Sequence, residues 1–490
     1  MDEVIIVGAG PVGLMLACEL ALAGVRPTVL DKRPEPSDLP RANGVGGQIV
    51  RMLDYRGLLE RFAEGSPFAG RPPGFPFGSV PLRFAGLDDI PLRMVMIQQP
   101  RMERLLSERA AELGVEVVRG TPVLGIGQDD DGVTLDLPGR RVRAHCAVGC
   151  DGGHSLVRER LGIPFPGTTD DEVLLLGHFK TDQVTGLFER SRVMGLEPGW
   201  NHTPHGRLLL TSLQPGVHIV GVREKGATGP VTLAGFQAAI RRVIGADLPL
   251  GEPIWLSSTV TQARLAERYR SGRVFLAGDA AHLFPAGGSA LNVGLMDAVN
   301  LGWKLAAVLT GRAPVRLLDT YETERRPVGE RTLAHTRAQA ALERLTGEDG
   351  DALRDLLAEI FAFEQPARHL ANLLHLSDTR SGLPSPDGVL DGEAGRGGVV
   401  GADLVGRLAP DLQLSTGDGP TRVAELMRDG RPLLLDLGGG ATLDGDWIRV
   451  VRAHCADPPA DTLLIRPDGQ VAWTGTAGLR EAAAEWLQPA

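Results

Sequence analysis

The stretch EVIIVGAGPVGLMLACELALAGVRPTVLDKR, Glu3 to Arg33, decides the fold. It opens on a continuous apolar run of strand length, EVIIVGA, and turns through glycines into GPVGLMLACELALAG, whose apolar residues recur at helical spacing. RPTVLDKR then reads as a second buried strand. Strand, helix and strand in this order open a doubly wound α/β domain with a parallel sheet. Gly8, Gly10 and Gly13 stand in GxGxxG spacing at the first turn. Glycines there allow a tight turn and a close approach of backbone to a pyrophosphate, whose charge sits at the helix N-terminus. Asp31 ends the second strand, where a carboxylate accepts hydrogen bonds from a ribose. Lys32 and Arg33 follow it and would suit a 2′-phosphate, which the acid disfavours. The unit therefore reads as a dinucleotide site for NAD, NADP or FAD.

The rest of the chain bounds the function. At 490 residues it is too long for one ordinary core, so two or three domains are expected. A formal net charge of −10 argues against nucleic acid as the main partner. No apolar run reaches bilayer-spanning length, so no membrane partner is expected. The opening MDEVIIVGAG carries no basic, apolar leader, from which a cytoplasmic location is expected. Cys18, Cys146, Cys150 and Cys455 form neither a CxxC nor a zinc pattern and read as buried thiols, so no metal site is expected. Residues 166–264 read as a separate β-rich block, long helices run to about Glu364, and DGEAGRGGVVG near Gly388 reads as a linker to a small α/β unit.

Two later motifs settle the cofactor. GCDGGHSLVRERLG carries Asp151, Ser155 and Arg158, and FLAGDAAHLFPAGGSALNVGLMDA (Phe275 to Ala298) carries Gly278, Asp279, Pro285, Gly287, Gly288 and Asn292. With the first motif, in this order, the chain resembles the class A FAD-dependent aromatic hydroxylases, the family of para-hydroxybenzoate hydroxylase. It is most similar to the branch with phenol hydroxylase, rifampicin monooxygenase and aromatic polyketide hydroxylases. LLIRPDGQVAW is similar to that branch's C-terminal thioredoxin-like domain. It has no CxxC, so a structural or interface role is expected there.

The resemblance implies a Rossmann-like FAD domain assembled from residues 1–70, 95–165 and 265–385. A β-rich substrate domain from 71–94 and 166–264 is inserted in it, and residues 386–490 form the thioredoxin-like domain. FAD is implied as a non-covalent cofactor, NADPH or NADH as a transient co-substrate arriving near Asp151, and O2 as oxidant. The implied reaction is hydroxylation of a small aromatic molecule, a polycyclic polyketide by preference, through a flavin C4a-hydroperoxide. A Baeyer–Villiger or rearrangement reaction and a flavin protein that sequesters a drug without turnover are the rivals, and a homodimer is left open. Asp279 is implied to bind the ribityl chain. Arg41 and Gln99 are implied to contact FAD. The loop of Pro285, Gly287, Gly288, Ala290, Leu291 and Asn292 is implied to lie beside the ring, where backbone N–H groups stabilise its N1–C2=O edge. No residue is assignable as an acid or base, since the flavin carries the chemistry. His282 is expected to be structural, and Met94 and Met96 to be strand or core residues. One departure stands out. The family reads Gly-Gly-Gln-Gly-x-Asn where this chain has Gly287-Gly288-Ser289-Ala290-Leu291-Asn292, and alanine at a glycine position restricts positive φ.

Overall fold

A computed structural model describes residues 2–87, 90–180, 184–214, 216–226, 229–285, 289–377, 379, 404–438, 440–443 and 445–486. The linker read near Gly388 lies outside them.

Five parallel strands form the spine: β1 (Asp2–Val7), β2 (Pro27–Leu30), β3 (Glu116–Val118), β4 (Arg140–Gly149) and β5 (Val274–Leu276), in the order β5-β4-β1-β2-β3. β1 is buried along Val4 to Val7, as a strand covered on both faces must be. Helices α1 (Pro11–Leu22), α2 (Gln99–Glu112) and α3 (Ser289–Leu309) lie against the spine, with α1 packed on both of the others. α3 is so enclosed that even Asp297, Asn300 and Lys304 are buried. A long helix, α4 (Asp319–Arg344), follows it.

Residues 166–264 supply an antiparallel sheet, which His282–Leu283 joins at one edge. Helix Leu233–Ile244 covers one of its faces with Phe236, Ile240 and Val243. Residues 71–94 contribute a hairpin, Gly74–Phe77 with Val80–Arg83, and the start of the short strand Met94–Val95. The hairpin packs Phe77, Val80 and Leu82 on helices Gly347–Phe361 and Glu364–His375. Among the described residues no helix is long and apolar enough to cross a membrane.

The C-terminal unit is a four-stranded mixed sheet, Arg449–Arg452, Leu433–Asp436, Thr462–Ile465 and Val471–Thr474 in spatial order, with helix Leu479–Trp486. It is clamped to the spine by buried charge. Arg56 makes two 2.7 Å bonds to Glu19 and donates to the carbonyls of Met427 and Pro467. Arg466 donates to Glu324 at 2.8 and 2.9 Å and pairs with Asp468. Asp468 in turn accepts from Asn300 and Trp303 of α3 at 3.0 Å. Every arginine and carboxylate in this clamp is buried, so each depends on its partners. Breaking such a pair from one side costs about 3–5 kcal/mol, because it leaves a buried charge uncompensated. Arg466→Leu is therefore expected to lower unfolding free energy by roughly that amount, measurable by urea denaturation; a change below about 1 kcal/mol would show that the clamp carries no net stability.

Candidate functional site

The strand register brings the three sequence motifs to one edge. Val7 pairs with Leu30 and with Gly149, and Gly149 pairs with Leu276, so all four strands end level. The backbone ladder continues one step beyond them: Gly8 N donates to Leu30 O, Cys150 N to Val7 O, and Ala277 N to Gly149 O. Gly8, Asp31, Asp151 and Asp279 consequently border one cavity of about 980 Å³.

The three glycines of the first motif do different things. Gly8 has φ +110°, and a Cβ there would lie 2.4 Å from the Cys150 carbonyl oxygen. A Cβ on Gly13 would fall 2.0 Å from Gly8 O, so this glycine serves helix-to-strand packing and does not line the cavity. Gly10 borders the cavity, and its Cβ would meet nothing within 4 Å. It is the N-cap of α1, which has no side-chain cap and no acid in its first turn, so free amides and the helix dipole face the open space.

Three carboxylates sit at the strand ends. Asp31 accepts from Ala9 N and Arg33 N, both at 2.8 Å. Burial would raise its pKa, but those amides and the Arg33 side chain hold it below the usual range. Asp151 accepts from Val157 N at 3.2 Å; burial raises its pKa against the pull of the Ser155 hydroxyl and nearby amides. Asp279 is open to the cavity yet otherwise enclosed by protein, and this enclosure raises its pKa against the opposing His282 and Arg41. Arg158 ties the second motif to the third, donating to Gly153 O and Ala280 O at 2.9 Å while stacked 3.9 Å over Phe165.

Behind the Asp279 turn lies a residue that sequence reasoning missed. Asp297, fully buried on α3, accepts from Gly278 N (3.2 Å), His282 Nε2 (2.7 Å) and Arg325 Nε (2.8 Å). Burial would raise its pKa, yet His282 and Arg325 pull it below the normal value. His282 also stacks on Phe284 at 4.8 Å and is buried, which is the structural part expected of it. The available signal was an acid inside the apolar run Leu295-Met296-Asp297-Ala298-Val299.

Lys32, Arg41, Gln99, Ala290, Leu291 and Asn292 border the cavity as well. Gln99 N donates to Ala42 O at 2.8 Å, and Asn292 Oδ1 accepts from Gly46 N at 3.0 Å, pinning α2 and α3 to the chain between Arg41 and Gly46. Gly278 and Pro285 do not border it, and Gly287 and Gly288 lie outside the described residues. Ala290 is already inside α3, so helical backbone, and not positive φ, is required of it. Met94 lies on a short strand, as expected of it, and Met96 directly follows that strand. Both border the cavity, because alternation along the short strand turns Val95 to the core and its two neighbours to the open side. Phe75, Leu92 and Leu374 line the cavity too, which makes it apolar in part.

A dinucleotide fits this donor and acceptor set. Bare helix amides suit a pyrophosphate. Three residues that border the cavity, Asn43, Glu103 and Asp151, each carry a buried acceptor oxygen (Oδ1, Oε2 and Oδ1) without a hydrogen-bond partner, which calls for a hydroxyl or N–H donor.

Comparison with known proteins agrees. Residues 1–336 match the family model of the FAD binding domain, and residues 402–490 match that of the aromatic-ring hydroxylase C-terminal domain. The chain is 39% identical over 518 residues to a 12-dehydrotetracycline 5-monooxygenase/anhydrotetracycline 6-monooxygenase of Streptomyces rimosus, covering 99% of both chains. Among solved structures it is similar to CabE, an aromatic hydroxylase from angucycline biosynthesis (TM-score 0.87, 36% identity, 100% and 99% of the two chains covered). It is similar also to the Diels-Alderase PyrE3 of the pyrroindomycin pathway (TM-score 0.85, 37% identity, 100% of each chain covered).

The glycine geometry separates binding from folding. Gly10→Ala points its methyl into open space, so apoprotein stability should fall by no more than about 1 kcal/mol, the N-cap difference between the two residues, while FAD affinity falls. Gly13→Ala should compromise folding itself. Titration of apoprotein with FAD, alongside melting curves, checks both; unchanged affinity in Gly10→Ala would remove the pyrophosphate from this turn.

Proposed function

This chain belongs to the FAD-binding aromatic-ring hydroxylases and is an FAD-dependent monooxygenase, and from that premise we propose that it takes electrons from NADPH or NADH and inserts one atom of O2 into a polycyclic aromatic substrate. The observation that carries this reading is a cavity lined both by charged, hydrogen-bonding groups and by apolar side chains. When bound, FAD supplies the electron relay and the activation of oxygen. The protein's own residues bind, orient and exclude water.

In this reading Gly8 and Gly10 let the backbone approach the pyrophosphate, with Gly13 keeping the helix close behind. Asp31 accepts from the ribose, with Lys32 beside it. Arg41, Gln99, Asp151 and Asp279 hold the chain between the two nucleotide halves, with Gly278 shaping the turn before Asp279. Asn292 pins the backbone beside the ring, and the α3 N-terminus at Ala290 and Leu291 offers amides to its electron-rich edge. Pro285 leads into that helix. Phe75, Leu92, Met94, Met96 and Leu374 supply an apolar, adaptable wall for a flat polycyclic molecule. Such a wall also sheds water, which limits the loss of activated oxygen as H2O2.

The C-terminal unit is read as thioredoxin-like without redox function, acting through the buried clamp on α3 and α4. The finer division into an FAD domain of residues 1–70, 95–165 and 265–385 and a substrate domain of 71–94 and 166–264 belongs to the same proposal. So does a cytoplasmic location.

The test is a product mass. Incubated with NADPH, O2 and a tetracyclic phenolic aglycone, the enzyme should yield a product heavier by one oxygen with its ring skeleton intact. A lactone of the same mass would instead mean ring expansion. Consumption of substrate without oxygen gain would overturn the oxygenase reading in favour of an isomerising reaction such as the cycloaddition that the PyrE3 name describes.

A further inference from the structure

Glu103 is a charged cavity group that the reading above leaves unused. It sits one turn into α2 and is only 1% exposed, yet it borders the cavity. Its Oε1 accepts from Gln99 Nε2 at 2.8 Å, while Oε2 has no hydrogen-bond partner. Among the described residues no cation lies within ion-pair distance of it. A carboxylate withdrawn from water and given one neutral amide is poorly compensated. Its helix neighbours Met102, Leu105 and Leu106 are ordinary core side chains, so packing alone asks for an apolar residue here.

The chemistry of the missing partner is restricted. A carboxylate accepts and does not donate, and it repels phosphate, so it calls for a hydroxyl or N–H placed away from the pyrophosphate. FAD offers hydroxyls on its ribityl chain and on its adenosine ribose. Gln99, hydrogen-bonded to Glu103, starts the helix against Ala42, next to Arg41 on the cavity wall. We infer that Glu103 is a cofactor-binding residue whose unpaired Oε2 accepts a hydrogen bond from a sugar hydroxyl of FAD, held at the right angle by the Gln99 amide. It acts from helix α2, whereas Asp31 and Asp279 act from strand ends, so the polyol is gripped by more than one element. This inference rests on the FAD assignment.

The test uses full-length apoprotein titrated with FAD by flavin-fluorescence quenching and with ADP by calorimetry, for wild type, Glu103→Gln and Glu103→Asp. The first variant removes the charge, and the second keeps it and shortens its reach. Both should weaken FAD binding by about tenfold or more, the loss expected of one charge-assisted hydrogen bond, while the apoprotein melting temperature holds or rises. A parallel loss of ADP affinity places the partner on the ribose, and unchanged ADP affinity places it on the ribityl chain. FAD affinity within twofold of wild type in both variants would overturn the inference, leaving water as the partner of Oε2. A fall in apoprotein melting temperature with unchanged affinity would overturn it in favour of a packing role. If Glu103→Gln does not fold, Glu103→Asp carries the same reading. Failure of wild type to bind FAD would instead remove the assignment beneath.

Discussion

Level ending of parallel strands is the constraint on which this site depends. Parallel pairing holds Val7 in register with Leu30 and Gly149, and Gly149 with Leu276, so the chain leaves the sheet four times at the same height. Each exit carries one group that borders the cavity: the glycine turn after β1, Asp31 after β2, Asp151 after β4 and Asp279 after β5. A register slip at any pair would turn side chains to the opposite face and scatter these groups. The buried apolar strands that prevent such a slip are therefore part of the binding site in the energetic sense.

Around this edge the molecule invests buried charge to fix loops that carry little hydrophobic area. Asp297 holds the Gly278 amide, His282 and Arg325 at once, and Arg325, from α4, donates also to the Val293 carbonyl of α3. Arg158 joins two motifs that are distant in sequence through two carbonyls. Farther along α3, Asn300 and Trp303 donate to Asp468 of the C-terminal unit. One helix thus runs from the cavity to the clamp, and the position of its N-terminus depends on the packing of a domain that shares no residue with the cavity. Such ionic clusters gain their strength from complete partnership, since each member is costly when left alone.

The cavity itself has two chemistries. Helix amides and acceptor oxygens edge it, and Phe75, Leu92, Leu374 and two thioethers line it as well. An activated oxygen species is productive where polar positioning meets water exclusion, and methionines give that wall an adaptable shape. The likeness to both an aromatic hydroxylase and a Diels-Alderase shows how far one scaffold can serve chemistry set by the shape of the wall.

Sequence alone was sufficient for the features that are local. The β1–α1–β2 order follows from apolar periodicity and glycine spacing, because strand and helix propensities act over a few neighbours. Family motifs named Asp31, Asp151, Asp279 and Asn292, and all four border the cavity or hold its walls. What spacing could not say is direction. That Gly13 serves packing while Gly10 faces open space, or that Met94 and Met96 turn outward around a buried Val95, depends on elements brought up from elsewhere in the chain. Asp297 was illegible, since its partners lie 15 to 28 residues away and meet it only once the sheet and α3 have closed, and the motif named Arg158 without its bond to Ala280, 122 residues on. Propensity is written in neighbouring residues, whereas the pairing of a buried charge is decided by which distant surfaces the folded core presses together.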